Sequence, residues 1–234
     1  MDNINDVYLF ANMLANKLYS GAISPDEFNL CAPIGQLNHL RVRIGLPELY
    51  KVGERQAPQQ LEASQMLDDV TQIFFKTSTV NSTTGLFTIP TDFLAYRPSF
   101  YWQIYLDENG VAQKKRRPFD FLTSGEADIK EDNYVTPPTL EYPAISYENG
   151  VLTARPVEIE QLELRYVRYP VTPVRNYTPN ANDQDTYNAT GSVSFEFQKS
   201  EWEMITQRIV KYWATKFREE GLFQVADKAA TQGS

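Results

Sequence analysis

Two tetrapeptides of the same form, Glu108-Asn109-Gly110-Val111 and Glu148-Asn149-Gly150-Val151, set the tightest local limit on how this chain can fold. Asn-Gly accepts the positive φ angles of a tight hairpin turn, so each pair predicts two antiparallel strands that meet there. The second pair has the clearer arms, Ala144 to Tyr147 and Val151 to Arg155. Beyond Pro156, Leu162-Glu163-Leu164-Arg165-Tyr166 alternates apolar and charged positions, the period of a half-buried strand. An antiparallel meander over residues 143–169 is therefore expected. Upstream, Asn81 to Gly85 is a turn cluster, Leu86-Phe87-Thr88-Ile89 reads as a short strand closed by Pro90, and Phe100 to Leu106 is aromatic and strand-like.

The two ends carry the helical period instead. Val7, Phe10, Ala11, Leu14 and Leu18 recur at three- and four-residue steps and stop at Gly21. Ser24-Pro25-Asp26-Glu27 then signals a new helix. Ser24 can cap it, Pro25 sits where a missing N–H costs nothing, and Glu27 can close a capping box. Pro33 predicts a kink or break within about two turns. The pattern resumes through Leu37, Leu40 and Ile44 to Gly45 and Pro47. After a polar link from Lys51 to Pro58, a third helix is expected from Gln59 to Phe74, on Leu61, Leu67, Val70 and Phe74. The last helix starts near Lys199 or Ser200, with Trp202, Ile205, Ile209, Trp213 and Phe217 on one face and Gly221 as its stop.

These periods predict an α+β protein, with N-terminal and C-terminal helices packed together beside an antiparallel β-hairpin or meander region. The expected divisions are an N-terminal helical region over 1–80, a β-rich region over 81–198, and a C-terminal helix over 199–234 that packs on the N-terminal helices. Residues 170–192, with Pro170, Pro173, Asn176, Pro179, Asn180, Asn182, Asp183 and Asp185, hold no regular pattern and are long for a connection in a compact domain. An extended arm lying against a partner surface is the economical expectation.

Charge and composition remove several function classes. The net charge is −8 and is spread along the chain, whereas a protein that grips nucleic-acid phosphates usually shows the opposite balance. A lone cysteine, Cys31, excludes an internal disulfide, and with a lone histidine, His39, it excludes the usual zinc clusters. The start, Met1-Asp2-Asn3-Ile4-Asn5-Asp6, lacks the apolar core of a signal peptide. No stretch approaches the roughly 18 apolar residues that span a bilayer. A reducing cytoplasm and no membrane role are expected, and the glycosylation-like triplets at Asn81, Asn176 and Asn188 read as polar loops. The 14 Tyr and 13 Phe suit interfaces with one apolar and one wet side.

No catalytic, cofactor-binding or metal-ligating residue is expected, and an enzyme is not. His39 sits mid-helix with no nucleophile motif such as Gly-x-Ser-x-Gly elsewhere, so a structural or surface role is expected. Cys31 reads as a small buried hydrophobe. Asp68 and Asp69 are neighbours on a helix and point about 100° apart, so they cannot face each other across a cleft. Glu126, Asp128, Glu131 and Asp132 lack the spacing and central glycine of a calcium loop. No phosphate-cradling loop occurs. One charge run stands out, Lys114-Lys115-Arg116-Arg117. It reads either as a solvated strand end or as a contact with an acidic partner or passing DNA.

Three stretches carry a resemblance. They are Leu18 to Phe28 with Ile23-Ser24-Pro25-Asp26-Glu27-Phe28, then Phe87-Thr88-Ile89-Pro90-Thr91-Asp92-Phe93, and then residues 143–173. The last holds Ala154-Arg155-Pro156 and Leu164-Arg165-Tyr166-Val167-Arg168-Tyr169-Pro170, and Ser194-Phe195-Glu196-Phe197 follows it. In this order they resemble virion structural proteins of Bacteroidetes-infecting, crAss-like phages, which form rings between portal and tail. The resemblance implies a homo-oligomer, a ring following the portal's twelvefold symmetry, made in the host cytoplasm and placed at the head–tail interface of the virion. Its implied partners are the portal and neighbouring tail or ring proteins, with packaged DNA passing through the lumen. The expected interface residues are Lys114, Lys115, Arg116, Arg117, Tyr177, Tyr187, and the hairpin tip at Asn149 and Gly150. Two other classes remain open: a tail-associated receptor- or carbohydrate-binding module, suggested by Tyr101 and Trp102, and a cell-wall hydrolase, suggested only by abundant carboxylates.

Overall fold

The computed structural model describes residues 1–17, 21–45, 71–133, 135–179 and 185–217. The chain divides into two compact units, one of Phe74–Tyr169 and one of Met1–Ile73 with Pro170–Ser234. The fold class is α+β. The segment after residue 170 therefore groups with the helices rather than with the strands.

The first unit is built from two four-stranded sheets. Strands β1 (Phe75–Asn81), β3 (Phe93–Leu106), β4 (Ala112–Pro118) and β8 (Gln161–Arg168) form one, in the order β1-β8-β3-β4 and antiparallel throughout. Strands β2 (Leu86–Thr88), β5 (Asp120–Leu122), β6 (Ala144–Glu148) and β7 (Val151–Arg155) form the other, in the order β2-β7-β6-β5. Its β5–β6 pair is parallel and is connected through helix α3 (Ser124–Glu131). One core joins the sheets: Tyr101, Leu162, Leu164 and Tyr166 come from the first, and Phe87, Ile145, Leu152 and Ala154 from the second. Period-2 alternation puts these residues on one face of each strand. Burying each large apolar side chain contributes roughly 1.5–3 kcal/mol. The edge strands pass from sheet to sheet, β1 through the 82–85 turn into β2, and β4 through buried Phe119 into β5. Gly85 has φ 71°, and a Cβ there would lie 3.1 Å from the Ala154 carbonyl, so the first crossing needs glycine.

Three local expectations differ from what is observed. The meander over 143–169 is not continuous. β6 and β7 form the Asn149-Gly150 hairpin, but β8 belongs to the opposite sheet and pairs with β1 and β3. Alternation identifies the buried face of a strand and says nothing about its neighbour. The arm at 170–192 is not featureless, since strands β9 (Tyr177–Pro179) and β10 (Asp185–Tyr187) pair and Val174 bridges Val193. Nor does Pro33 break its helix: α2 runs through it from Pro25 to Arg43. An interior proline costs about 3 kcal/mol. Here Phe28, Cys31, Ala32, Gly35 and Leu40 are buried on both sides of it, and their burial outweighs that cost.

In the second unit, α1 (Ile4–Lys17) and α2 both pack against α4 (Trp202–Phe217). α1 buries Ile4, Val7, Ala11 and Ala15. α2 opens on the expected capping box, with the Glu27 amide donating to Ser24 Oγ at 3.3 Å and the Ser24 amide donating to the Glu27 carboxylate at 3.0 Å. The expected third helix, with Leu61, Leu67 and Val70, lies outside the described residues, as do Asp68, Asp69 and Gly221. Its predicted last turn, Gln72–Phe74, is a 3-10 turn that leads straight into β1.

Close helix contact and one polar cluster tie α2 to the C-terminal segment. At Gly35 an added Cβ would meet the Ile209 side chain and sit 3.2 Å from the Ile209 backbone nitrogen. Nearby, His39 Nε2 lies 2.7 Å from the Glu201 carboxylate, which also accepts from Arg43 at 2.6 Å. Arg208 Nε donates to His39 Nδ1 at 3.4 Å, and the His39 ring meets Phe197 edge-on. Burial holds the imidazole below its ordinary value of 6.5. Neutral His39 then donates to Glu201 and accepts from Arg208. The bonds from His39 and Arg43 hold the Glu201 carboxyl down at about 2.

Gly35→Ala should lower the unfolding free energy by about 1–3 kcal/mol through overpacking, read as a lower urea midpoint at unchanged slope. The His39 cluster sets a pH dependence of one sign. Both groups bind protons more readily unfolded than folded, so both contribute stability that falls as pH falls. The His39 share should begin to fade below 6.5, and the Glu201 share below about 4.5 as pH approaches its folded value of about 2. Glu201→Gln should abolish the second stage and cost about 3 kcal/mol at neutral pH, because Arg43 loses a partly buried carboxylate. Urea melts from pH 2 to 8 on both proteins would show this.

Candidate functional site

Strand alternation splits the basic block. In the β3–β4 register, Trp102 faces Arg116 and Ile104 faces Lys114, while Tyr101 faces Arg117 and Gln103 faces Lys115. Tyr101 points into the core, so Arg117 and Lys115 lie on the core side of the sheet, and Lys114 and Arg116 on its outer side. Arg117 is held within the unit, donating to Gln103 at 2.8 Å and to Glu141 at 2.7 Å. The four residues are not one positive patch.

The outer side of this sheet is the more organised surface, and pairing assembles it from distant sequence. Arg97 stands opposite Arg165 on β8, and Phe100 opposite Glu163. The Arg97 guanidinium lies 3.6 Å from the centre of the Phe75 ring. Arg116 lies 3.8 Å and Arg165 5.0 Å from the Phe100 ring, and Phe100 meets Trp102 edge-on at 5.7 Å. Phe100 faces outward yet is only 7% exposed, because the two arginines cover it. A guanidinium held over a ring face by the cation–π attraction can still offer N–H donors to a carboxylate or phosphate. None of these three arginines has a carboxylate partner among the described residues, whereas Arg43, Arg117 and Arg155 each do. Sequence reading found Arg116 and Trp102 but missed Arg97, Arg165 and Phe75. No local signal marks these three.

Beyond the core the β3–β4 ribbon is exposed on both sides. Trp102, Ile104, Tyr105, Leu106 and Val111 are all exposed. Its turn is not the expected two-residue Asn-Gly type, since only Gly110 has positive φ and Asp107 Oδ1 accepts from the Asn109 and Val111 amides. The Asn149-Gly150 tip does have positive φ at both residues, as a type I′ turn requires.

The other sheet has an acidic outer side. Leu152 and Ala154 of β7 face the core, so Arg155 faces outward, where it donates to Asp128, Glu131 and Ser146 across α3. Lys130 pairs with Asp120 at 2.7 Å. Glu126 closes a second capping box with Thr123, and that bonding holds its carboxyl below the ordinary range. Helix α3 thus lies on this sheet with Asp120, Asp128, Glu131 and Asp132 exposed around it.

Tyr177 and Tyr187 pair across β9 and β10 and fold onto their own helical unit. Tyr177 donates to Asp26 at 2.8 Å. Both rings flank the buried Arg175 guanidinium, which stacks on Tyr8 at 4.1 Å and donates from Nε to Asn5. Asn29 exchanges two hydrogen bonds with the Arg175 backbone, and Gln36 donates to the Val171 carbonyl.

Among the described residues no three His, Cys, Asp or Glu side chains gather as a metal would need, and no helix is long and apolar enough to cross a membrane. Burial pushes the Cys31 thiol up to about 12, so it is not a nucleophile at neutral pH. His39 is spoken for by Glu201 and Arg208. A shallow polar depression between the 81–83 turn and Glu160–Gln161 brings no pair of titratable groups together. No protein-family model matches this chain, and no curated protein matches it either.

Proposed function

We propose that this chain is a structural subunit of a phage virion, a ring protein of the head-to-tail connector that acts by assembling with copies of itself and with the portal. The observation that carries the reading is the sheet carrying the β3–β4 ribbon: among the described residues, a net-acidic chain presents three arginines set over phenylalanine rings without carboxylate partners, beside an exposed run of large apolar side chains. Such a surface suits a lasting protein contact, with a desolvated aromatic and arginine centre, better than it suits a small-molecule site. The sequence resemblance to ring proteins of crAss-like phages points the same way. Ring subunits bind side by side through two different surfaces, and rotation closes the circle.

A glycan-binding tail module fits less well. Trp102 and Tyr105 lie on opposite sides of the ribbon, and Tyr101 is buried with its hydroxyl donating to the Leu140 carbonyl, so they form no common stacking platform. Native mass spectrometry of the purified chain, alone and mixed with the portal protein of the phage that encodes it, tests the proposal. A fixed multiple near twelve on the portal is the expected outcome. A chain that stays single and ignores the portal would sink the reading and move glycan arrays to the front.

A further inference from the structure

The β unit carries opposite charge on its two outer sides. Each sheet spends one face on the shared core, so the remaining faces must look away from each other. On the first lie Arg97, Lys114, Arg116 and Arg165, against the single acid Glu163, whose carboxylate accepts from the Thr79 hydroxyl at 2.9 Å. On the second, Asp120, Glu126, Asp128, Glu131, Asp132 and Glu148 outnumber Lys130 and Arg155. Three arginines of the first side are held in place by Phe75 and Phe100, so their donors are pre-oriented for a partner's carboxylates.

We infer that copies of this chain meet front to back, the arginine–aromatic side of one β unit seating on the acidic α3 side of the next. The occupant is a second copy because the complementary charge is built into the same chain, on the opposite side of the same unit. A contact between two different surfaces of one protomer is heterologous and repeats from copy to copy. Like-charged sides repel, so a face-to-face dimer is disfavoured and one direction of assembly is selected. β4 reinforces this: an edge strand bearing four consecutive cations resists pairing with its own kind. This inference rests on the ring reading and names the surfaces that would build the ring.

Charge exchange tests it on the full chain. One variant carries Lys114→Glu with Arg165→Glu and leaves the Arg97 and Arg116 stacks intact. The other carries Asp132→Lys with Glu148→Lys and leaves the Arg155 and Lys130 ion pairs intact. Sedimentation velocity would follow association at low and high salt, with and without the portal, and thermal melts would confirm that both variants fold. The wild type should associate more weakly as salt rises. Each variant alone should associate at least about tenfold more weakly. An equimolar mixture should regain assembly, because each reversed side then meets a side of opposite sign. If each variant assembles as well as the wild type, or if the mixture stays dissociated, the front-to-back contact is wrong while the ring reading stands. A wild type that remains single under every condition, portal included, would overturn both.

Discussion

The burial of one face of each four-stranded sheet against the other decides most of what the β unit can do. Phe87, Ile145 and Leu152 from one sheet and Leu162, Leu164 and Tyr166 from the other meet in a single core. Period-2 alternation then forces every residue between them onto an outer side. Arg97, Arg165 and Arg116 are outward because their neighbours are inward, and Arg155 is outward for the same reason on the second sheet. Core packing and surface charge are therefore one arrangement seen from two sides.

On the first outer side the chemistry is that of guanidinium on aromatic rings. Lysine would keep the charge there but lose the flat stacking, because a compact ammonium has no plane to lay on Phe75 or Phe100. The stack shields Phe100 from water and at the same time holds two cations in one small area. Holding like charges together is unfavourable, and among the described residues none of these arginines forms an ion pair with a carboxylate.

The helical unit solves a different problem, the ordering of a polar segment. Residues 171–179 and 185–193 bury few apolar groups, so side-chain amides hold part of their backbone. Asn29 serves Arg175 in both directions, and Gln36 serves the Val171 carbonyl and the Glu196 amide. Arg175, buried among Tyr8, Tyr177 and Tyr187, anchors the segment to α1. The His39–Glu201–Arg43 cluster does similar work between α2 and the start of α4. Buried polar groups of this kind specify one arrangement more than they add stability.

Local signals in the sequence determined a good part of this. The capping box at Ser24 and Glu27, the hairpin at Asn149-Gly150, the alternation of β8 and the apolar stripe of α4 all act within a few residues, so composition and spacing suffice to read them, whereas in α1 only Val7 and Ala11 of the expected stripe are fully buried. Whether His39 was structural or on the surface was not legible, because its partner Glu201 lies 162 residues away in the chain. Pro33 does not break α2, because its local cost is real but smaller than the burial along that helix. What only the tertiary structure decided is which strands are neighbours. The transfer of β8 to the opposite sheet brings Arg165 beside Arg97 and Phe100, across more than sixty residues of chain. The parallel β5–β6 crossover, in turn, lays α3 and its acids on the second sheet. A strand's own pattern encodes which face is buried, whereas its partner is chosen by the packing of the whole unit, and the charged surfaces exist only once that choice is made.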